Sequence, residues 1–245
     1  MMNLLAEAGA KFNTTQKAFA SLMIPYSFIN QLNSISFFIN SSILTGNEGI
    51  SLTQMLNYPS EGKLIYKATR DGFSASSFHY KCDNISNTVS IIKTRSNSVF
   101  GGFTSASWLS NNYWFSYDAN AFIFSLRREG SQNNQRLNVR KPEYAIRSYY
   151  DYYGPIFGTE INVLDNSNQN NYSYSILGDS YQLPKNITYG SQQAVSYLAG
   201  NYYWQTTEIE VYQLFPFEPF SVSFLHNGCL LFKVYIFYLN FNLIQ

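Results

Sequence analysis

The stretch KLIYKATRDGFSASSFHYKCDNISNTVSIIKTRSNSVFGGFTSASW (63–108), followed after a polar gap by NAFIFSLRR (120–128), decides the fold of this chain. It contains an apolar run, a charged turn with glycine, a short amphipathic segment and two β-rich runs. TVSIIKT (88–94) is rich in β-branched residues, and VFGGFT (99–104) follows it after the polar turn RSNS. Two such runs joined by a short polar turn predict a β-hairpin.

A short helix is predicted just before this hairpin. Ser74 is a typical N-cap residue, because its side chain can accept a hydrogen bond from the first turn. Ala75, Phe78 and Cys82 follow at helical spacing and share one face. We therefore expect a helix over 74–81 whose apolar face is buried.

Gly101 and Gly102 lie inside the second β-rich run. Glycine in the middle of a strand indicates a bulge or a close approach of another group to the backbone. The chain contains neither GxGxxG nor GxxxxGK[ST], so the pair is not read as a phosphate cradle.

Further short runs along the chain have strand character, and polar turns separate them. These candidates are 64–67, 121–126, 136–140, 145–150, 161–164, 172–176 and 208–214. Residues 130–135 have the composition of a polar turn, and Ser51 is a candidate N-cap for a short helix that ends before Pro59. Many short strands with few helices predict a mainly β fold in which one sheet packs on another.

The composition excludes several classes of protein. The 16 basic and 15 acidic residues give a net charge of +1, which provides no basic face for nucleic acid. The two cysteines do not form a disulfide framework, and Glu7 and Lys11 interrupt the apolar core that a secretory signal needs. We therefore expect a reduced, cytoplasmic protein that binds no nucleic acid.

Six segments of the chain occur together and in the same order in one protein family. They are LIYKATRDGFS with SFH (64–79), TVSIIKT with VFGGFTSASW (88–108), NAFIFSL (120–126), GPIFG (154–158), SYSILGDSY (173–181) and EIEVYQL (208–214). In these segments the chain resembles the TLDc domain, a eukaryotic module of oxidation-resistance proteins. The resemblance covers 44–214 and implies a mainly β fold, a two-sheet antiparallel β-sandwich flanked by short helices. It also implies a non-enzymatic interaction module, tied to oxidative-stress resistance, whose partner is a subunit of the vacuolar-type proton pump.

Within these segments we expect a structural role for Arg70, Asp71, Gly72, Gly101, Gly102, Trp108 and Gly158. The first three residues form a turn between a predicted strand and a predicted helix. Asp71 can accept hydrogen bonds from amides at a helix N-terminus, and Arg70 can pair with a carboxylate on the opposite sheet.

Glu208 and Glu210 are the candidate partner-binding residues. They alternate with Ile209 and Val211, so both carboxylates should lie on one face of the last strand. Their spacing is also one that glycoside hydrolases use, but any two such residues on a strand have it. We therefore expect glutamates that face solvent or a partner rather than catalytic groups. Lys93, Arg127 and Arg128 are candidates for the complementary charges.

His79 and Cys82 are the residues with the most chemical potential. A metal site would need more ligands than this pair and its neighbour Asp83 provide on one short helix. An alternative function, a thiol-dependent peroxide scavenger, would use Cys82 and requires an exposed thiol of low pKa. We expect a half-buried histidine and a core cysteine instead, and predict no catalytic, metal or cofactor site.

Two segments outside the resemblance have different compositions. Residues 1–43 carry apolar residues mostly three and four apart and are predicted to be a helical lead-in. It either folds back on the domain or belongs to a larger scaffold, which would make the chain an adaptor fragment. Residues 215–245 form an apolar tail that is an appended or misannotated segment, a strand docked on the sandwich or a membrane anchor. Membrane contact is expected only through 220–239, which His226, Asn227 and Lys233 interrupt.

Overall fold

The computed structural model describes residues 38, 40–56, 60–110, 114–147 and 152–216, without the side chains of 60, 61 and 216. Most of the predicted helical lead-in and nearly all of the predicted apolar tail therefore lie outside the described residues.

The first of two β-sheets contains the hairpin that the sequence predicts. Its six strands are β1 (Ser60–Lys67), β2 (Thr88–Thr94), β3 (Val99–Thr104), β5 (Phe122–Arg128), β6 (Ser131–Asn138) and β12 (Thr206–Pro216). They lie in the order β1-β12-β2-β3-β5-β6, and every neighbouring pair is antiparallel. The first and last described strands are thus neighbours, which closes the domain on itself.

The second sheet is built from shorter strands. They are β4 (Phe115–Ser116), β7 (Ile146–Arg147), β8 (Tyr153–Phe157), β9 (Ile161–Leu164), β10 (Ser173–Tyr174) and β11 (Tyr203–Trp204). Their order is β11-β10-β9-β8-β7-β4, again antiparallel throughout. The described helices are α1 (Gly46–Leu56), α2 (Ala68–Asp71), α3 (Ala75–Cys82), α4 (Gln192–Ser196) and a 3-10 turn (Pro142–Tyr144). The predicted mainly β fold with two antiparallel sheets is confirmed.

The main core lies between the two sheets, where Gly102 allows their close approach. A Cβ atom on Gly102 would lie 2.6 Å from the ring of Phe157, which belongs to the second sheet. A Cβ atom on Gly101 would lie 1.9 Å from the backbone oxygen of Ser90 on the neighbouring strand. The prediction that the glycine pair marks a close backbone approach is confirmed, because neither position has room for a side chain.

Trp108 occupies the centre of this core and is fully buried. Its ring makes edge contacts with Phe78 of α3 and Phe157 of β8. Its indole nitrogen donates a hydrogen bond of 2.8 Å to the hydroxyl of Thr88, so the one polar group of the side chain is satisfied. Trp108 thus joins α3 to both sheets.

The outer face of the first sheet is also covered, by Phe38 and residues 40–56. Phe38, Ile43, Leu52 and Leu56 pack there against an apolar cluster that the strands supply. These strand residues are Val89, Ile91, Val99, Phe103, Phe122, Phe124, Leu126, Tyr212 and Leu214. Because both faces are buried, β2 and β3 consist almost entirely of buried residues.

Helix α1 begins at Gly46, five residues before the predicted N-cap at Ser51. A capping box explains the earlier start. The backbone N–H of Thr45 donates to Glu48 Oε2 at 2.8 Å, and the backbone N–H of Glu48 donates to Thr45 Oγ1 at 3.4 Å. The prediction of the helix start was therefore wrong, whereas Ser74 does cap α3 as predicted.

Strand β6 begins at Ser131, so the predicted polar turn over 130–135 is also wrong. The turn is confined to Glu129 and Gly130, which have φ values of +46° and +89°. Two successive residues with positive φ form the tight hairpin turn that suits the twist of adjacent strands. The polar residues that follow lie in an edge strand, where most of the side chains face solvent.

Candidate functional site

Glu210 is the most deeply buried charged residue of the predicted partner-binding set. Its side chain is 0% exposed. Four groups donate hydrogen bonds to its carboxylate from other parts of the chain: Ser41 Oγ at 2.6 Å, Ser42 N and Oγ at 2.9 Å, and Lys67 Nζ at 3.2 Å. The hydroxyl of Tyr212 donates a further bond of 3.1 Å. Burial raises the pKa of Glu210, but the bonds from Ser41, Ser42 and Lys67 outweigh it and leave the pKa below its ordinary value.

Glu208 lies on the same face of β12 and is also buried. Its carboxylate accepts hydrogen bonds from the N–H of Thr69 at 3.0 Å and from the hydroxyl of Thr69 at 2.5 Å. Lys67 Nζ lies 3.9 Å from Glu208 Oε2 and so interacts with both glutamates. The two carboxylates do share a face, but the expectation that they face solvent or a partner is wrong. The N-terminal segment and α2 cover them.

Arg127 is likewise engaged within the domain. Its guanidinium donates bonds of 2.8 and 2.7 Å to the two carboxylate oxygens of Glu48, and a third of 2.6 Å to Asn97. Burial raises the pKa of Glu48, yet the contacts with Arg127 and Thr45 leave it below its ordinary value. Arg127 therefore anchors α1 to β5 rather than presenting a free positive charge. Arg128 lies over the ring of Tyr197, 4.8 Å from its centroid.

Lys93 is partly exposed, as are Arg127 and Arg128. It is paired directly opposite Glu208 in the strand register, but Glu208 uses its carboxylate to hold Thr69. Within the part of the chain that the structure describes, Lys93 has no ion pair. Its role as a partner-binding residue stays a prediction.

The turn of Arg70, Asp71 and Gly72 is structural, though its contacts differ from those expected. Arg70 pairs with Asp71 itself, at 2.7 Å, and not with a carboxylate of the opposite sheet, so that prediction was wrong. The hydrogen bond from Arg70 lowers the pKa of Asp71 to about 2. Asp71 also accepts the backbone N–H of Lys67 at 3.0 Å, just before α2. The first amide of α3 is instead bound by Asp165, which the sequence analysis missed.

Gly72 and Gly158 both have positive φ, +103° and +55°. A side chain at Gly158 would also collide with Glu160 and Ser180, which lie 2.4 and 2.7 Å from the position of a Cβ atom. Glu160 binds the backbone N–H groups of Ser180 and Tyr181 there, so the glycine lets the chain pass close to a buried carboxylate.

Cys82 is fully buried, and burial raises its pKa far above the ordinary value for a thiol. His79 is 2% exposed, more deeply buried than expected. Its Nδ1 lies 2.7 Å from Asp83 Oδ1 and its Nε2 lies 3.1 Å from the carbonyl oxygen of Tyr153. The histidine thus connects α3 to β8. Among the described residues, no group of three or more histidine, cysteine, aspartate or glutamate side chains is arranged to hold a metal ion.

The exposed surface offers a different candidate site, a tyrosine patch formed by the contacting rings of Tyr174, Tyr202 and Tyr203, with the exposed Tyr172 two positions before Tyr174. Tyr174 and Tyr203 are paired across β10 and β11, on the side away from the buried Trp204. The rings of Tyr174 and Tyr202 stack with centroids 5.5 Å apart, and Tyr202 contacts Tyr203 at 4.5 Å. Tyr172 is 64% exposed and Tyr203 is 55% exposed. The sequence carries no local signal for this patch, because tyrosine is frequent throughout the chain.

The surroundings of two tyrosines in the patch, Tyr174 and Tyr202, raise the pKa of their phenol groups. Burial and the neighbouring Tyr153 raise the pKa of Tyr174 to about 12. Burial also raises the pKa of Tyr202. The phenol groups of Tyr174 and Tyr202 therefore stay protonated and can both donate and accept hydrogen bonds.

The comparison with protein families agrees with the segments and their arrangement. The TLDc domain model matches residues 37–215, which is most of the chain and includes every described strand except the end of β12. This chain belongs to the TLDc domain family. A search of curated proteins finds no significant match.

Membership places the TLDc domain of this chain among oxidative-stress-related domains. The match begins before residue 44, so it includes the segment that binds Glu210. The described part of the TLDc domain contains no helix that is long and apolar enough to cross a bilayer.

Proposed function

We propose that this TLDc domain is a non-enzymatic protein-interaction module of the oxidation-resistance kind. Its partner is a subunit of the vacuolar-type proton pump, and it acts on the cytoplasmic side of the membrane. The family supplies the partner class, since the TLDc resemblance implies it. The tyrosine patch is the observation that carries the proposal, because it gives the domain an exposed surface suited to binding protein.

The chemistry of the patch supports this use. Tyrosine is enriched at protein interfaces, since its ring buries much apolar area while its hydroxyl still forms hydrogen bonds. The mutual contacts of Tyr174, Tyr202 and Tyr203 hold the rings in place before a partner arrives. Pre-ordered side chains lose less conformational entropy on binding. The strands of the second sheet provide the rigid support.

The contacts of the predicted charged set support the same choice of surface. Glu208, Glu210 and Arg127 already hold Thr69, Ser42 and Glu48 respectively. A partner would have to displace those internal contacts before it could reach them. The tyrosine patch requires no such displacement.

Capture of purified pump subunits by the full chain would test the proposal. We expect Tyr172→Ala combined with Tyr203→Ala to weaken capture by roughly tenfold or more, as for aromatic residues at the centre of an interface. Tyr189→Ala is the matched control, since Tyr189 is 56% exposed but lies in the turn before α4. Capture that is unchanged by the double substitution would exclude the patch, and no capture by the unaltered chain would exclude the partner.

The alternative functions fare differently. A peroxide scavenger using Cys82 requires an exposed thiol of low pKa, whereas this thiol is buried and its pKa is raised. Unchanged peroxide consumption by Cys82→Ala would end that hypothesis. The scaffold hypothesis concerns residues 1–43, of which the structure describes residue 38 and residues 40–43. Phe38 and Ile43 pack against the first sheet of the same chain.

A further inference from the structure

The segment formed by Phe38 and residues 40–45, here called the strap, is fastened to the first sheet through an exposed serine. Ser42 is exposed, yet its hydroxyl donates a 2.9 Å hydrogen bond to the buried carboxylate of Glu210. Lys67 Nζ lies 2.7 Å from the same hydroxyl and 3.2 Å from that carboxylate. The hydroxyl of an exposed residue therefore lies between a buried carboxylate and the ammonium group that pairs with it.

The network has little capacity for more negative charge. It contains the carboxylates of Glu208 and Glu210 and one ammonium group, that of Lys67. Lys67 is 22% exposed, and the two carboxylates are 9% and 0% exposed, so solvent screens these charges weakly. Any further anion here must compete with Glu210 for Lys67.

We propose that Ser42 is a phosphorylation site and that its phosphorylation releases the strap from β12. A protein kinase would supply the phosphoryl group from a nucleoside triphosphate. The Ser42 Oγ–P bond forms, the bond between the γ-phosphorus and the β-phosphate oxygen breaks, the nucleoside diphosphate leaves and the hydroxyl proton is released. The proposal does not depend on the partner of the tyrosine patch.

Charge and space both oppose a phosphate in the closed arrangement. A phosphoserine adds a charge of about −1.5 to −2 at neutral pH. At 2.9 Å from Glu210 Oε1, the hydroxyl oxygen leaves no room for the phosphate oxygens between the two groups. If the phosphate instead pairs with Lys67, Glu210 loses its cation while still buried, which is strongly unfavourable. In either case the arrangement with the strap released from the Glu210 carboxylate has the lower free energy.

Release should be local, because α1 has separate attachments. Glu48 of α1 binds Arg127 through two hydrogen bonds, and Leu52 is fully buried against the sheet. The strap is held by its bonds to Glu210 and by the edge contact of Phe38 with Tyr212, whose ring centroids are 5.2 Å apart. The side chain of Ile43 is also buried against the sheet, and Arg127 donates a 3.4 Å bond to the Ile43 carbonyl oxygen. Release of the strap from Glu210 therefore exposes Tyr212 and the part of β12 around Glu210, while α1 stays in place.

Hydrogen–deuterium exchange on the full chain carrying phosphoserine at position 42 would test the proposal. The N–H of Ser42 donates to the Glu210 carboxylate, so this amide reports strap closure directly, whereas those of Ile43 and Leu44 donate to Ser41 Oγ within the strap. We expect exchange at the Ser42 amide to rise on the order of tenfold or more, since its charge-assisted hydrogen bond is lost, with no change in α1 or β2. Unchanged exchange at this amide would overturn the proposal.

Four variants separate charge repulsion from the simple loss of a hydroxyl bond. Asn47→Asp adds a negative charge at an exposed position in the first turn of α1, just after the strap, and should leave strap exchange unchanged. Ser42→Asp should open the strap, and adding Glu210→Gln should reverse most of that opening because the repelling charge is gone. If Ser42→Ala opens the strap as far as Ser42→Asp does, or if Glu210→Gln gives no reversal, repulsion is not the mechanism and the proposal fails.

Discussion

The outer faces of the two sheets differ in what covers them and in the side chains that they carry. The outer face of the first sheet is covered by the strap and α1, and its residues Glu210 and Arg127 bind that cover. The second sheet presents exposed tyrosine rings at its β10–β11 edge. Charged contacts hold the strap and α1 on the first sheet, whereas aromatic rings remain accessible on the second sheet.

This difference teaches that charged residues on a strand are not by themselves evidence of a binding surface. Glu210 lies under the strap and accepts hydrogen bonds from residues near the start of the domain, so its charge is internal. Tyr203 carries no charge, yet more than half of its surface is available to a partner. Stability should therefore depend on the first face, and binding on the second.

Removing Glu210 should have the largest effect on stability. Glu210→Ala leaves Lys67 and the strap hydroxyls without their buried acceptor, and breaking a buried ion pair typically costs about 3–5 kcal/mol. Urea unfolding followed by circular dichroism would measure the loss. Glu143→Ala is the control, because Glu143 is an exposed glutamate and its removal should change little. Equal effects of the two substitutions would erase the distinction between the faces.

Truncating the cover itself should have the next largest effect. Leu52 of α1 is fully buried against the outer face of the first sheet. Leu52→Ala should lower the free energy of unfolding by about 2–4 kcal/mol through lost apolar burial and the cavity left behind. Thr53→Ala, one position further along α1, removes a partly exposed side chain and should cost much less. A loss below about 1 kcal/mol for Leu52→Ala would mean that α1 is not a true part of the core.

Local patterns in the sequence predicted much of the fold. The β-branched run and its glycine-containing partner predicted β2 and β3 with the bounds that the structure has. The polar run after Gly130 misled, because an edge strand can be polar along its length while its backbone still pairs with β5. The early start of α1 could have been predicted from Thr45 and Glu48, because a threonine followed three residues later by a glutamate is the sequence pattern of a capping box.

The burial of Glu208 and Glu210 could not be predicted in the same way. Their alternation with Ile209 and Val211 indicates a polar outer face, and outer faces of antiparallel sheets are commonly solvated. The groups that cover Glu210 come from Ser41 and Ser42, which are 169 and 168 residues away along the chain. A pattern within one strand contains no information about a contact of that range.

The pH dependence of stability should reveal the contribution of the carboxylates that hold the strap and α1 on the first sheet. The pKa of Glu48 and that of Glu210 are both lower in the folded chain than their ordinary value of 4.5. Such groups stabilise the fold fully above the ordinary pKa, and the contribution is lost as pH falls through the folded pKa. We therefore expect the free energy of unfolding to decline below about pH 4.5. Glu160 acts in the opposite sense, because burial raises its pKa.

Glu210→Gln isolates the part of this decline that belongs to the strap. The glutamine cannot take up a proton as the pH falls. The free energy of unfolding of the variant should therefore fall less steeply than that of the unaltered chain below the ordinary pKa of Glu210. The gap between the two should be widest near neutral pH and should narrow in acid. Parallel curves over the whole range would show that the Glu210 carboxylate does not contribute through its charge.

Substituting the tyrosine patch should have the smallest effect on stability, which makes it the sharpest test of the comparison. Tyr203→Ala removes a side chain that is 55% exposed, so the free energy of unfolding should change by no more than about 0.5 kcal/mol. The same substitution should weaken capture of the proton-pump subunit, whereas Glu210→Gln should affect stability first. If Tyr203→Ala lowers the free energy of unfolding substantially, the ring stabilises β11. A loss of capture by that variant would then not be evidence of binding through Tyr203. A variant of normal stability with reduced capture would assign the two faces their separate roles.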